Sequence, residues 1–264
     1  MKVRPLVLCY HAISETWRDA LAVAPAAFER QVRVLLDRGY RPATAADVTN
    51  ANGKLLHVTF DDAFRSVASA LPVLERLGVP ATVFVCPGFA DEGKALAVPE
   101  LAMQVREHPE ELATMPWREL RGLVERGVEV GSHTLTHPHL TELDDHELRS
   151  ELRESRQRLE DELAVPCRFL AYPYGEEDER VRAAARASGY EAAFALPGRQ
   201  APVDVYAVPR VGIWQKDGPI RVTVKTSAAG RRLLLEPLTS ARERWPRLAR
   251  PRKRMSERSV RQSG

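Results

Sequence analysis

Cysteine is scarce in this chain of 264 residues: it has only Cys9, Cys86 and Cys167, and no Cys-x-x-C pair. An odd number of widely spaced cysteines does not predict a disulfide framework or a cysteine-rich metal site. Each of the three lies in or beside an apolar run. We therefore expect small, buried or half-buried thiols, and the alternative is a role in a disulfide or a metal site.

The sequence also lacks an apolar run of the roughly 18–20 residues that a membrane-spanning helix needs. Near the N-terminus, Leu6–Tyr10 follows the basic residues Lys2 and Arg4, but this apolar stretch is too short for the core of a signal peptide. We interpret it as the first strand of the fold and expect a cytoplasmic protein.

A strong imbalance of charge is absent as well. The net charge is +3, with 28% charged and 44% hydrophobic residues, which is typical of a globular protein and does not indicate a polyanionic partner. Only the end differs, because residues 240–264 are rich in arginine and poor in apolar side chains. We expect one domain over residues 1–239 and a flexible basic tail over 240–264. Clustered arginines would also suit weak contact with a membrane surface or a nucleic acid.

Short apolar runs alternate with amphipathic segments along most of the chain, a pattern that predicts repeated β-α units and an α/β fold. The predicted strands are Leu6–Tyr10, Leu56–Phe60, Thr82–Val85, Val128–Gly131, Arg168–Tyr172, Ala192–Ala195 and Val205–Val208. The predicted helices include Pro25–Arg38, Ser66–Leu77, a long one after Asp144 and Glu179–Ser188. Between residues 88 and 116 the pattern is irregular, which favours an inserted loop with a short helix over the rim of the fold.

Polar residues follow two of these strands. Asp61 and Asp62 come directly after one apolar run, and His133 and His137 follow Gly131 at the end of another. Because strand ends meet on one face of an α/β barrel, these side chains can converge. Two imidazoles and one carboxylate form a three-ligand site with an open position, as in catalytic zinc sites. A spacing of four would let one helical turn present both histidines.

The paired carboxylates can divide their roles, since one can bind a cation while the other accepts a proton from the water that the cation activates. The alternative is structural: Asp62 could cap a helix that begins after Ala63. Capping alone would leave the two histidines unexplained. One divalent ion is therefore expected, zinc in the first place, although cobalt, nickel or iron would accept the same ligands.

Three segments together resemble the main motifs of the polysaccharide deacetylases, the NodB-homology enzymes of carbohydrate esterase family 4. They are Thr59–Ala63 (Thr-Phe-Asp-Asp-Ala), Ser132–His137 (Ser-His-Thr-Leu-Thr-His) and Ala171–Gly175 (Ala-Tyr-Pro-Tyr-Gly), in this order. The resemblance extends over about residues 6–214. It implies a distorted (β/α)7 barrel that removes N- or O-acetyl groups from sugars with one divalent metal.

The resemblance also implies roles for individual residues. Asp62, His133 and His137 would hold the metal, and Asp61 would be the catalytic base. Tyr174 would donate its backbone N–H to the tetrahedral oxyanion, and such donors are usually the largest contribution to catalysis.

Two departures concern the base. The family usually has glycine after the paired aspartates, whereas this chain has Ala63, which is tolerated if its φ is negative. The family often has an arginine where Ala171 stands. Arg210 follows the last predicted strand and could orient Asp61 instead; the alternative for it is a surface ion pair.

The third departure concerns the general acid. The family usually supplies it from a late histidine, but no histidine follows His146. His11 ends the first predicted strand, after Tyr10. This N-terminal Tyr-His pair resembles that of the poly-N-acetylglucosamine deacetylases, a branch of the family in which the order of the motifs is permuted. His11 is thus the candidate acid, and the alternative is a histidine that only packs at a strand end. His139, which follows Pro138 in the loop, is expected to be exposed.

These assignments predict a hydrolase of carbon–nitrogen bonds other than peptide bonds, which removes acetyl groups from a carbohydrate. The expected partner is an N-acetylated sugar or a polysaccharide precursor, and the expected cytoplasmic location favours a precursor linked to a nucleotide or a lipid at the membrane periphery. A catalytically inactive, sugar-binding relative is the alternative, since the usual arginine and late histidine are missing.

Overall fold

The computed structural model describes residues 4–196, 204–227 and 229–230. The predicted basic tail, residues 240–264, and the boundary before it lie outside these ranges. Within them, no helix combines the length and the apolar character that crossing a bilayer requires.

A mostly parallel sheet forms the centre of the fold, and its hydrogen-bonded path runs β10-β9-β8-β7-β6-β5-β1-β11. The strands of the described residues are β1 Leu6–Tyr10, β2 Ala12–Ile13, β3 Ala22–Val23, β4 Arg41–Pro42, β5 Leu55–Phe60, β6 Ala81–Val85, β7 Glu129–Ser132, β8 Phe169–Ala171, β9 Ala192–Ala195, β10 Val208–Pro209 and β11 Val211–Gly212. Only Arg210 separates β10 from β11, at opposite ends of the path. The sheet is therefore nearly closed into a barrel, as expected.

Helices surround the sheet. They are α1 Pro25–Asp37, α2 Ala45–Asn50, α3 Leu71–Leu77, α4 Ala102–Glu107, α5 Trp117–Glu125, α6 Asp145–Leu163, α7 Glu179–Ala187 and α8 Pro219–Thr226. Every residue of β1, β5 and β6 is buried, which explains why these strands are continuous apolar runs: a parallel sheet is covered on both faces. The long helix α6 begins with a capping box of Asp144 and Glu147, as its sequence predicts.

The seventh predicted strand is displaced. Residues 205–208 were expected to be extended, but Val205–Ala207 forms a 3₁₀ turn and the strand follows it. The side chain of Asp204 accepts a hydrogen bond from the N–H of Tyr206 at 2.9 Å, which caps the turn. This local bond outweighs the β-branched character of the segment.

The segment of residues 88–116 packs at the same end of the barrel as the predicted site. It contains the short turns Pro87–Phe89 and Pro99–Leu101 and the helix α4. Its buried residues Leu101 and Leu112 belong to one cluster with Phe64 and Tyr174. The segment is therefore held against the strand ends by an apolar core of its own.

Candidate metal centre

All seven predicted site residues lie at the carboxyl ends of the strands. His11 follows β1, Asp61 and Asp62 follow β5, His133 and His137 follow β7, Tyr174 follows β8, and Arg210 separates β10 from β11. All of them are buried. The barrel thus brings together side chains from five separate parts of the sequence.

Three of these residues form a compact donor set. Asp62 Oδ1 lies 3.5 Å from His133 Nε2 and 3.4 Å from His137 Nε2. His133 Nδ1 lies 2.8 Å from the carbonyl oxygen of Ala171. Because a carbonyl can only accept, this nitrogen carries the proton and Nε2 presents its lone pair to the other two residues.

The donor set fits a divalent cation. Among the described residues, neither carboxylate oxygen of Asp62 and neither ring nitrogen of His137 has a hydrogen-bond partner. Buried polar atoms are normally satisfied, so unpartnered ones on two adjoining side chains are what a site for a ligand would show. Burial, together with the nearby charge of Asp61, raises the pKa of Asp62 well above its usual range. A cation between the three side chains would keep this carboxylate ionised.

The two histidines are presented by an irregular loop, so the predicted helical turn is wrong. Thr134 and His137 both have left-handed backbone angles, with φ of 67° and 65°. The N–H of Thr134 donates to Ser132 Oγ at 3.1 Å, and that of His137 donates to Thr134 Oγ1 at 3.1 Å. These side-chain bonds to the backbone compete with helix formation and close a tight turn instead.

Glu151 on α6 secures this loop, although nothing in the sequence distinguishes it from the other acidic residues of that helix. Its carboxylate accepts hydrogen bonds from the N–H groups of Leu135 and Thr136 at 2.8 and 2.9 Å, and from the hydroxyl of Thr136 at 2.6 Å. Glu151 differs from the exposed charged residues of α6, because it binds the backbone between the two histidines.

Arg210 binds Asp61 through both nitrogens of its fork, at 2.6 and 2.9 Å. The alternative of a surface ion pair is wrong, because both side chains are buried. Burial alone would raise the pKa of Asp61, but the guanidinium outweighs it and holds the pKa below the usual range.

The thiol of Cys9 also contacts Asp61, with Sγ 3.3 Å from Oδ2. All three cysteines are free and buried, as predicted.

The backbone after β5 departs from expectation. Asp62 and Ala63 have φ values of 68° and 49°, so the negative φ that would make alanine unstrained is not found. A left-handed residue with a Cβ costs about 1–2 kcal/mol, and such strain persists where other contacts enforce it. Asp62 is not a helix cap either, since the next helical turn begins at Arg65 without a side-chain cap.

His11 and Tyr174 complete the site. The imidazole of His11 stacks on Trp214, with ring centroids 5.2 Å apart. Each of His11, Cys9 and Asp61 offers a ligand atom within 4.8 Å of the other two. Burial lowers the pKa of His11 to about 4. The backbone of Tyr174 is in the left-handed region, with φ of 59°. The centroid of its ring lies 4.7 Å from that of the His137 ring.

Comparison with known proteins gives the same family as the motifs. The family model described as polysaccharide deacetylase matches residues 49–193, more than half of the chain. YxkH of Bacillus subtilis (strain 168), assigned as a polysaccharide deacetylase, is 25% identical over 217 residues, which cover 78% of this chain and 70% of that protein.

Two solved structures are similar in fold. The polysaccharide deacetylase BC0361 from Bacillus cereus has a TM-score of 0.67 at 26% identity, covering 84% of this chain and 68% of that one. IcaB from Ammonifex degensii has a TM-score of 0.65 at 26% identity, covering 83% and 95%. With its nearly closed barrel and the site at the strand ends, this chain belongs to the polysaccharide deacetylase family of enzymes.

Proposed function

We propose that this protein is a metal-dependent hydrolase that removes N-acetyl groups from a carbohydrate, with Asp62, His133 and His137 as the ligands of one divalent ion, zinc in the first place. The observation that carries the proposal is the buried cluster in which both oxygens of Asp62 and both nitrogens of His137 lack hydrogen-bond partners among the described residues. A second carboxylate, ionised by Arg210, lies beside it.

A divalent ion held there would lower the pKa of a water molecule toward neutrality and offset negative charge in the transition state. Asp61 would accept the proton of that water. Because Arg210 lowers the pKa of Asp61, this carboxylate is ionised at neutral pH and ready to accept. The bidentate pair also fixes the orientation of the carboxylate.

The departing amine needs a proton, which His11 donates. The pKa of His11 is about 4, so its imidazole is neutral in the resting site at neutral pH and must gain the proton during the reaction. Asp61 offers an oxygen within 4.8 Å of a His11 nitrogen, a separation that one water molecule can bridge, so the proton can pass from Asp61 to His11. Tyr174 donates its backbone N–H to the oxygen on which negative charge develops.

The experiment is acetate release from a panel of N-acetylated sugars and oligosaccharides, with O-acetylated sugars as a second arm. We expect the zinc-loaded protein to release acetate from an N-acetyl substrate, the chelated protein to be at least about a hundredfold slower, and added zinc or cobalt to restore the rate. A protein that binds zinc and sugar but releases no acetate would instead be the inactive sugar-binding relative. Three expectations stay predictions: the cytoplasmic location of the protein, the link of its sugar substrate to a nucleotide or a lipid, and the contact of residues 240–264 with a membrane surface or a nucleic acid.

Removing the carboxylate of Glu151 is expected to weaken metal binding. In Glu151→Ala, the loop between His133 and His137 loses two hydrogen bonds of its backbone and one of the Thr136 hydroxyl, so we expect zinc affinity to fall about tenfold, within the range found for groups that orient metal ligands. Competition with a chromogenic chelator measures this affinity. Glu151→Gln keeps one acceptor oxygen and should lose less. Glu154→Ala, an exposed residue of the same helix, is the control and should bind zinc like the parent.

A further inference from the structure

A second group of polar side chains lies next to the site, and the mechanism above does not use it. His139 Nδ1 lies 2.9 Å from Glu176 Oε2, and His139 Nε2 lies 3.2 Å from Glu100 Oε1. The other oxygen of Glu100 accepts a hydrogen bond from the hydroxyl of Tyr174 at 2.8 Å. We call Glu100, His139 and Glu176 the histidine clamp.

The clamp joins three separate parts of the rim. Glu100 lies in the turn Pro99–Leu101 of the 88–116 segment, and Glu176 directly follows the turn Pro173–Gly175. His139 comes two residues after His137 and was expected to be exposed, but only 22% of its side chain is accessible. A side chain bound at both ring nitrogens in this way has little freedom to move.

The clamp holds the ring of Tyr174 from several sides. The ring of His139 stacks on it, with centroids 3.9 Å apart and planes at 11°. The ring of His137 meets it nearly edge-on at 4.7 Å and 72°. Glu100 binds the hydroxyl of Tyr174. The Tyr174 side chain is therefore held at its hydroxyl by Glu100 and on one ring face by His139, and the ring of His137 packs against it.

This matters because the backbone of Tyr174 is in an unfavourable conformation. Its φ of 59° and ψ of 0° lie in the left-handed region, which a large aromatic residue adopts only when its surroundings enforce it. The turn itself supplies part of this restraint, because the N–H of Gly175 donates to the carbonyl oxygen of Tyr172 at 2.9 Å and that of Glu176 donates to the carbonyl oxygen of Pro173 at 3.2 Å. The contacts on the Tyr174 ring add to it.

We propose that Glu100, His139 and Glu176 are positioning residues that fix the Tyr174 ring and thereby hold its left-handed backbone, so that its N–H points at the oxygen of the reacting acetyl group. The inference rests on the proposed function, in which this N–H stabilises the oxyanion. Among the described residues, the hydrogen bonds of the clamp join its own members and Tyr174, and none of them reaches Asp62, His133 or His137.

The test uses His139→Leu and Glu100→Ala, which remove the clamp, and Tyr174→Phe, which removes only the hydroxyl. For the first two we expect kcat to fall about tenfold with KM within twofold of the parent, because a small displacement of a transition-state donor affects the rate and not ground-state binding. Zinc affinity should not change. Affinity for a tetrahedral methylphosphonamidate analogue of the N-acetyl sugar should weaken by the same factor as kcat.

Two comparisons separate positioning from a general structural role. Glu100→Gln keeps an acceptor for the Tyr174 hydroxyl and should recover most of the rate lost in Glu100→Ala. Combining Glu100→Ala with Tyr174→Phe should lower kcat no further than Glu100→Ala alone, since both remove one bond. His146→Leu, at an exposed histidine on α6, is the matched control and should behave like the parent.

The outcomes distinguish the two proposals. A parent protein that releases no acetate would overturn the proposed function and this inference with it. An active parent whose His139→Leu and Glu100→Ala variants keep the parental kcat would overturn the inference alone. So would variants in which zinc affinity or KM changes as much as kcat, since the clamp would then only support the fold of the rim.

Discussion

Replacing Asp61 with asparagine is expected to lower kcat for acetate release by about a thousandfold, while the protein still binds one equivalent of metal. Asparagine has the shape of aspartate but cannot accept a proton at neutral pH, and a positioned general base contributes roughly 10²–10⁴ in rate. The proposed ligands Asp62, His133 and His137 are unchanged in this variant. Initial rates of acetate release, measured beside metal content by elemental analysis, test both parts of the expectation.

Asp62→Asn is the matched control, because it is the same chemical change one residue later. Asp62 lies within 3.5 Å of both histidines, whereas Asp61 is bound by Arg210. We therefore expect Asp62→Asn to lose both metal and activity, and Asp61→Asn to lose activity alone. If Asp61→Asn loses the metal and Asp62→Asn keeps it, the two roles are assigned the wrong way round.

The fold could be predicted because its main signals are local. Buried parallel strands such as β1 and β5 appear in the sequence as continuous apolar runs, and a capping box marks the start of α6. Strand ends share one face of a barrel, so Asp62 and His133 could be placed together without a structure. The family resemblance added the candidate roles of His11 and Tyr174, which composition alone would not single out.

The missed features depend on backbone angles and on contacts between distant segments. The left-handed backbone at Ala63 and His137 has no signal in the residue types, because neither is glycine. Glu151 is one of many acidic residues on α6, and only the folded loop shows which of them meets the backbone of Leu135. His139 was likewise expected to be exposed, since its two carboxylate partners are remote in the sequence or belong to another loop.

Arg210→Met is expected to destabilise the metal-free protein by about 3–5 kcal/mol, the usual cost of leaving one partner of a buried ion pair uncompensated. Arg210 is fully buried, and its fork neutralises Asp61 at 2.6 and 2.9 Å. Urea unfolding measures the loss. Arg33→Met is the control, since the pair of Arg33 with Glu29 lies at the surface, with 50% and 27% of the two side chains accessible, and should contribute less than about 1 kcal/mol.

The pH dependence should change with the same substitution, and its sign follows from the pair. In the parent, Arg210 lowers the pKa of Asp61, so the stability that the pair provides is present above the ordinary carboxylate pKa and is lost as the pH falls through the lower, folded value. Without Arg210, burial is opposed only by the neighbouring histidines, so the pKa of Asp61 rises from its value in the parent. The base is then protonated over more of the pH range, so the acid side of the profile of kcat/KM should move to higher pH.

The double variant Asp61→Asn/Arg210→Met should be less destabilised than the sum of the single changes, because it leaves no charge of the pair buried alone. Additive losses, or an acid limb that stays in place, would mean that Arg210 fills space without setting the charge of the base.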